Sequence, residues 1–178
     1  MIKFLIEPGY DVKPPQREAG NAGIDFFVPN LNEIFRAAFI AKNNTLKTRI
    51  VEEEDGTAYI SIAPHADANI PSGIHSYIAP NIGLIAVNKS GIASNKKLVV
   101  GAQLVDPNYQ GIIHCHVINT TDRPQVIPLG TKIVQFVPYE FDTSEIEVVS
   151  NVTKEDFYSE MTFSNRGDGA FGSTTLTN

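Results

Sequence analysis

An all-β fold, a distorted jelly roll or β-barrel-like body with a small helical insertion, is what this 178-residue sequence predicts. Three observations carry that expectation. Short apolar and β-branched runs recur along most of the chain, each closed by Gly, Pro, Asn or Asp. Eleven Pro and thirteen Gly supply more turns than long helices tolerate. Only two stretches space their apolar residues as a helix face does. Many short strands at close intervals then argue for a sandwich or a barrel.

In chain order, the first strand expected is Ile2–Ile6, an apolar run broken by Glu7 and Pro8. Ile24–Val28 follows. Leu31–Lys42 is the stronger helix, because Leu31, Ile34, Phe35, Ala38 and Phe39 fall on one face. Strands are then expected at Ala58–Ile62, Gly73–Ile78, Gly83–Asn88, Leu98–Leu104, Gly111–Asn119, Gln125–Ile127, Thr131–Tyr139 and Ile146–Val149. Thr153–Met161 is the weaker helix. Residues from about 30 to 63 read as an insertion: the helix, a polar stretch over Lys42–Arg49, and the acidic turn Glu52-Glu53-Glu54-Asp55-Gly56. That acidic run reads as a solvated loop, with a regulatory or metal-attracting patch as the alternative. The whole is expected to be one domain over residues 1–178, with a C-terminal arm at about 165–178.

Bulk properties exclude several function classes. A net charge of −6 lacks the basic footprint of a protein that coats nucleic acid. One cysteine, Cys115, excludes an internal disulfide and a paired-cysteine zinc site. No run approaches the roughly 20 apolar residues of a membrane span, and the N-terminus lacks the pattern of a secretory signal. A soluble, cytoplasmic protein with no membrane partner is expected, nucleoplasmic or in host cytoplasm if eukaryotic or viral.

Three clusters carry chemistry. Arg166-Gly167-Asp168-Gly169-Ala170-Phe171-Gly172-Ser173-Thr174 combines glycines that let backbone approach a ligand, a forked cation, an aromatic face and two hydroxyls. Successive N–H groups in such a turn can cradle phosphate oxygens. Asn88-Lys89-Ser90-Gly91-Ile92-Ala93 follows a strand and reads as an ordinary polar turn or as a second anion nest. Gln103 to Ile113 places Asp106, Pro107, Asn108 and Gly111 between two apolar strands, a hairpin signature. Asp106 there acts either as a general base or as a turn-stabilising side chain. His114 and His116 share a strand face without Cys115, and two His without a third ligand make a poor metal site.

Taken in order, these segments resemble the motifs of the trimeric dUTPase family. They are Asn21-Ala22-Gly23-Ile24-Asp25-Phe26, Lys89-Ser90-Gly91-Ile92-Ala93, Leu104 to Gly111, Gly130-Thr131-Lys132-Ile133-Val134-Gln135-Phe136, and the Arg166–Thr174 loop. Ile70-Pro71-Ser72-Gly73-Ile74 is similar to a further family strand. Singly each motif is weak; five in order are specific.

The resemblance implies a Mg2+-dependent dUTP diphosphatase that makes dUMP, for thymidylate synthesis, and pyrophosphate, and works as a homotrimer with active sites at its interfaces. It implies Asp106 as the base that activates the water attacking the α-phosphorus. Tyr109 packs under the deoxyribose in that reading, and the backbone at Gln103 and His114 reads uracil. Lys89, Ser90, Gly91 and Gln135 hold phosphates. Phe171 covers the base with Gly172 beside it, while Arg166, Ser173 and Thr174 grip the terminal phosphate as part of a lid. Asp25 either orients water on Mg2+ or holds a subunit contact. The metal binds mainly through the triphosphate.

The sequence departs from the family pattern at Lys89 for Arg, Gln103 for Gly, Asn108 for an acid and Ala170 for Gly. A related deaminase group carries a catalytic Glu where His116 stands here, which argues against deamination. A regulatory binder built on the same fold is the rival of a different class, with the insertion as its binding surface.

Overall fold

The computed structural model describes residues 1–158, so the Arg166–Thr174 loop lies outside the described residues. Contacts divide the chain after Thr143, a unit Met1–Thr143 and a second that begins at Ser144. Along the chain run β1 (Ile2–Ile6), β2 (Ile24–Phe27), α1 (Glu33–Lys42), β3 (Thr48–Glu52), β4 (Ala58–Ile62), β5 (Asp67–Pro71) and β6 (Ile74–Ile78). Then come β7 (Ile82–Asn88), a π-helical turn (Ile92–Lys96), β8 (Leu98–Val100), β9 (Leu104–Val105), β10 (His114–Asn119), β11 (Gln125–Pro128), β12 (Lys132–Glu140) and α2 (Lys154–Phe157). The expected all-β class holds.

Antiparallel pairing groups the strands as β1-β6, β5-β10-β8, β11-β4-β3 and β2-β12-β7-β9. Alternation decides which face is apolar. In β10, Cys115, Val117 and Asn119 are buried while His114, His116 and Ile118 are only partly so. Phe26 on β2 and Phe136 on β12 meet with ring centroids 4.6 Å apart. The buried Asn119 amide donates to Ile62 O, Ala63 O and Arg123 O, so its cost of burial is offset by hydrogen bonds.

The segment expected as an insertion is built into this core. Asn32 caps α1, its Oδ1 accepting from the Phe35 N–H at 2.9 Å while its Nδ2 donates to Gly9 O. Phe35 and Phe39, one turn apart, are fully buried. At the other end, Asn43 Nδ2 donates to Asn69 O and its Oδ1 accepts from Asn69 N–H, tying the helix to β5. The polar stretch expected over Lys42–Arg49 runs into β3, which starts at Thr48; buried Thr48 donates to Asp67 O. The acidic run closes the β3–β4 hairpin, with Gly56 at φ +84° and Asp55 accepting from the Thr57 N–H.

Three expectations change. β5 was hidden because Asp67, Asn69 and Pro71 are poor strand formers; pairing with β10, His114 opposite Pro71, decides it. The single strand expected over Leu98–Leu104 is two: β8 pairs with β10, β9 with β7, and Gly101–Gln103 crosses between the sheets. Ile146–Val149 forms no strand, and Ile146 and Val148 are 91% and 88% exposed. Within the second unit, α2 begins after Thr153, whose Oγ1 accepts from the Asp156 N–H; the end of the helix expected over Thr153–Met161 lies outside the described residues. Among the described residues, no helix is long and apolar enough to cross a membrane.

Candidate active site

The crossover at Gly101–Gln103 opens a cleft. The β8–β10 ladder ends at Val100 opposite Val117, with one further bond from Gly101 N–H to His116 O, and the strand then leaves for β7. Between them lies a slot of about 180 Å³ lined by Ala102, Gln103, Leu104, Val105, Asp106, Tyr109, Ile113, His114 and Phe136. Four residues singled out from the sequence, Gln103, Asp106, Tyr109 and His114, thus meet on one cavity. Phe136, its apolar floor, was legible only as a core strand residue.

The hairpin positions them. Tyr109 N–H donates to Asp106 O at 3.1 Å, closing the turn. The Tyr109 hydroxyl donates to Ile112 O, and its ring lies over Gly111, where any side chain would collide with it. Asp106 is exposed, and its carboxylate borders both the slot and a neighbouring cavity of about 620 Å³ that includes Tyr77, Ile78, Pro107 and Phe141. Burial pulls the His114 imidazole below its ordinary 6.5, the Lys42 charge adds to this, and a backbone hydrogen bond at Ile112 opposes it. Burial also pushes the Cys115 thiol up to about 12, so it is no nucleophile.

A second cluster gathers where β2, β12 and β7 run side by side. Gln135 donates to Asn88 O, and a Cβ on Gly23 would lie 2.3 Å from Gln135 Oε1; glycine lets the first and fourth motifs touch. Lys89 Nζ reaches Asp25 Oδ1 at 2.5 Å and Lys132 Nζ reaches Oδ2 at 2.8 Å. Burial raises the Asp25 carboxyl, but hydrogen bonds and charge from Lys132 and Lys89 outweigh it and hold the group below its ordinary 3.8. Each Asp25 oxygen therefore faces an ammonium. Lys132 was missed by sequence reading because a bulge between Lys132 and Val134 breaks the alternation that would have placed it. Ser90 and Gly91 precede the π-helical turn; Gly91 is right-handed at φ −64°, not the alternating backbone of an anion nest.

The two clusters stand apart. Val105, just before Asp106, pairs with Leu84 on β7, whereas Lys89 follows the far end of that strand. Five residues at roughly 3.3 Å each separate Leu84 from Lys89, or about 17 Å.

The chain thus combines an all-β body, a carboxylate at a hairpin mouth with a slot beside it, and a separate cationic cluster. The dUTPase family model matches residues 56–175, and the chain belongs to that family. It is a dUTP nucleotidohydrolase. It is 28% identical over 116 residues to the deoxyuridine 5'-triphosphate nucleotidohydrolase of Actinobacillus pleuropneumoniae serotype 5b (strain L20), covering 64% of this chain and 71% of that protein. With that of Glaesserella parasuis serovar 5 (strain SH0165) it shares 31% over 106 residues, 58% of this chain and 64% of the other. Among solved structures, the Staphylococcus bacteriophage 80alpha dUTPase with dUPNHPP superposes at a TM-score of 0.70 with 17% identity, covering 99% of both chains. The dUTPase from phage phi11 of S. aureus gives 0.63 at 15% identity, over 86% of this chain and 99% of that one. At such identities the likeness is one of fold.

Proposed function

We propose that the chain hydrolyses dUTP to dUMP and pyrophosphate through a water activated by Asp106, supplying dUMP for thymidylate synthesis. The observation that carries this reading is the shared slot of Gln103, Asp106, Tyr109 and His114. Uracil enters the slot against the backbone of Gln103 and His114, and the deoxyribose stacks on Tyr109. The Asp106 carboxylate then takes a proton from water attacking the α-phosphorus, with pyrophosphate leaving opposite. Lys89, Ser90, Gly91 and Gln135 hold phosphates; Asp25 fixes Lys89 and Lys132 in place rather than meeting the metal. Arg166, Phe171, Gly172, Ser173 and Thr174 close the site as a lid.

Mg2+ fits this arrangement as a guest of the triphosphate. Among the described residues no three acidic or imidazole side chains converge as a cage, and Asp25 is already compensated twice. Asp106 is the exposed hard-oxygen donor nearest the slot and would hold the ion through water. When bound, Mg2+ neutralises phosphate charge and orients the leaving group.

The distance along β7 favours a homotrimer whose sites combine the hairpin of one subunit with the cationic cluster of another. Pyrophosphate release from a panel of deoxynucleoside triphosphates, with Mg2+ and with chelator, tests the reaction. Release from dUTP alone, lost on chelation, is expected; equal release from dCTP or dTTP would sink the uracil reading.

A further inference from the structure

The crossover segment Gly101–Gln103 has lost one sheet and not yet joined the next, so its position depends on a few bonds. Gln103 O accepts from the Ala86 N–H at 2.7 Å, and Gly101 N–H donates to His116 O at 3.0 Å. The remaining anchor is a side chain. Ala102 N–H donates to His116 Nδ1 at 2.9 Å. A backbone N–H can only donate, so Nδ1 carries the lone pair and the ring proton sits on Nε2. Nε2 in turn donates to Asp67 Oδ2 at 2.9 Å, which orients the ring from β5. The ring lies so close that a Cβ on Gly101 would fall 2.2 Å from Nδ1. Glycine is required there for space.

We propose that His116 is a positioning residue for base recognition. As the neutral, Nε2-protonated imidazole, held by Asp67, it clamps the Ala102–Gln103 edge against which the base is read. This rests on the slot being the uracil pocket. Ala102 and Gln103 both line that slot, and the clamp is a side-chain bond where a sheet ladder would otherwise hold the strand. Sequence reading gives His116 no more than an ordinary strand position; its role comes from the strand that leaves beside it.

Two substitutions separate positioning from bulk. His116→Leu keeps an apolar body and removes the acceptor, leaving Ala102 N–H without its bond. His116→Asn sets Oδ1 about where Nδ1 stands and keeps the acceptor while giving up Asp67. The Leu variant should raise KM for dUTP about tenfold, the equivalent of one lost hydrogen bond, with kcat within about twofold. The Asn variant should restore KM to within about threefold of wild type. Amide hydrogen exchange at Ala102 should be slow in wild type and His116→Asn, and faster in His116→Leu.

Melting curves confirm that both variants fold. An unchanged KM in folded His116→Leu, or His116→Asn as impaired as His116→Leu, overturns the clamp. Amide shifts at Ala102 and Gln103 on adding a non-hydrolysable dUTP analogue to wild type check the pocket separately. Their absence defeats the pocket reading and the clamp's role with it; their presence beside an unmoved KM defeats the clamp alone.

Discussion

Asp106 is exposed at the mouth of the hairpin, with the slot on one side and the larger cavity on the other. A carboxylate there is open to water, as a proton acceptor must be. Asp106→Asn keeps size but not basicity. Turnover should fall by roughly 10²–10⁴-fold while dUTP affinity survives, measured side by side on one preparation. Near-normal turnover would remove Asp106 from the chemistry. His114 makes a different prediction. Its folded pKa lies below the ordinary 6.5, chiefly through burial, so as pH falls the unfolded chain takes up the extra proton first. Its contribution to stability is complete above pH 6.5 and is lost as pH drops through the folded value. His114→Gln should flatten the fall in melting temperature that wild type shows below pH 6.5. The same slope in both proteins would refute that assignment.

At the scale of elements, α1 is held by caps at both ends and by two buried rings. Its removal from the core should be costly for that reason. Phe39→Ala deletes a fully buried ring and should destabilise the fold by about 3–5 kcal/mol in urea unfolding, with an unchanged m-value. A loss below about 1 kcal/mol would show that the segment expected as an insertion is peripheral. The C-terminal motif calls for a different experiment. A chain ending before Arg166 should keep its melting temperature and lose nearly all turnover, because the proposed phosphate grip and base cover lie beyond that point. Wild-type turnover by the shortened chain would rule out the lid.

For the whole molecule, the strand β7 separates the hairpin from the cationic turn by about 17 Å. The proposed site that uses both joins two chains. Light scattering should therefore give three times the 19.5 kDa chain mass. Mixing after partial unfolding is the sharper measurement. Asp106→Asn and Lys89→Ala chains, each weak alone, should regain activity together, since some mixed sites unite an intact Asp106 with an intact Lys89. No recovery in a verified mixed trimer would place both residues in one chain's site.

The sequence by itself determined the all-β class, most strand positions, α1, and the order of motifs that marks the family. Those features are local: apolar alternation, turn residues and short side-chain patterns are all written within a few residues. It also singled out Asp106, Tyr109, Gln103 and His114. Only the tertiary structure decided that they share one slot, because the slot exists where Leu98–Leu104 divides between two sheets. β5 followed the same rule: Asp67, Asn69 and Pro71 argue against a strand until β10 pairs with it. Lys132 beside Asp25, and His116 under Ala102, are likewise contacts between distant segments. Pairing across tens of residues is set by burial and hydrogen-bond satisfaction over the whole chain, which no local pattern encodes.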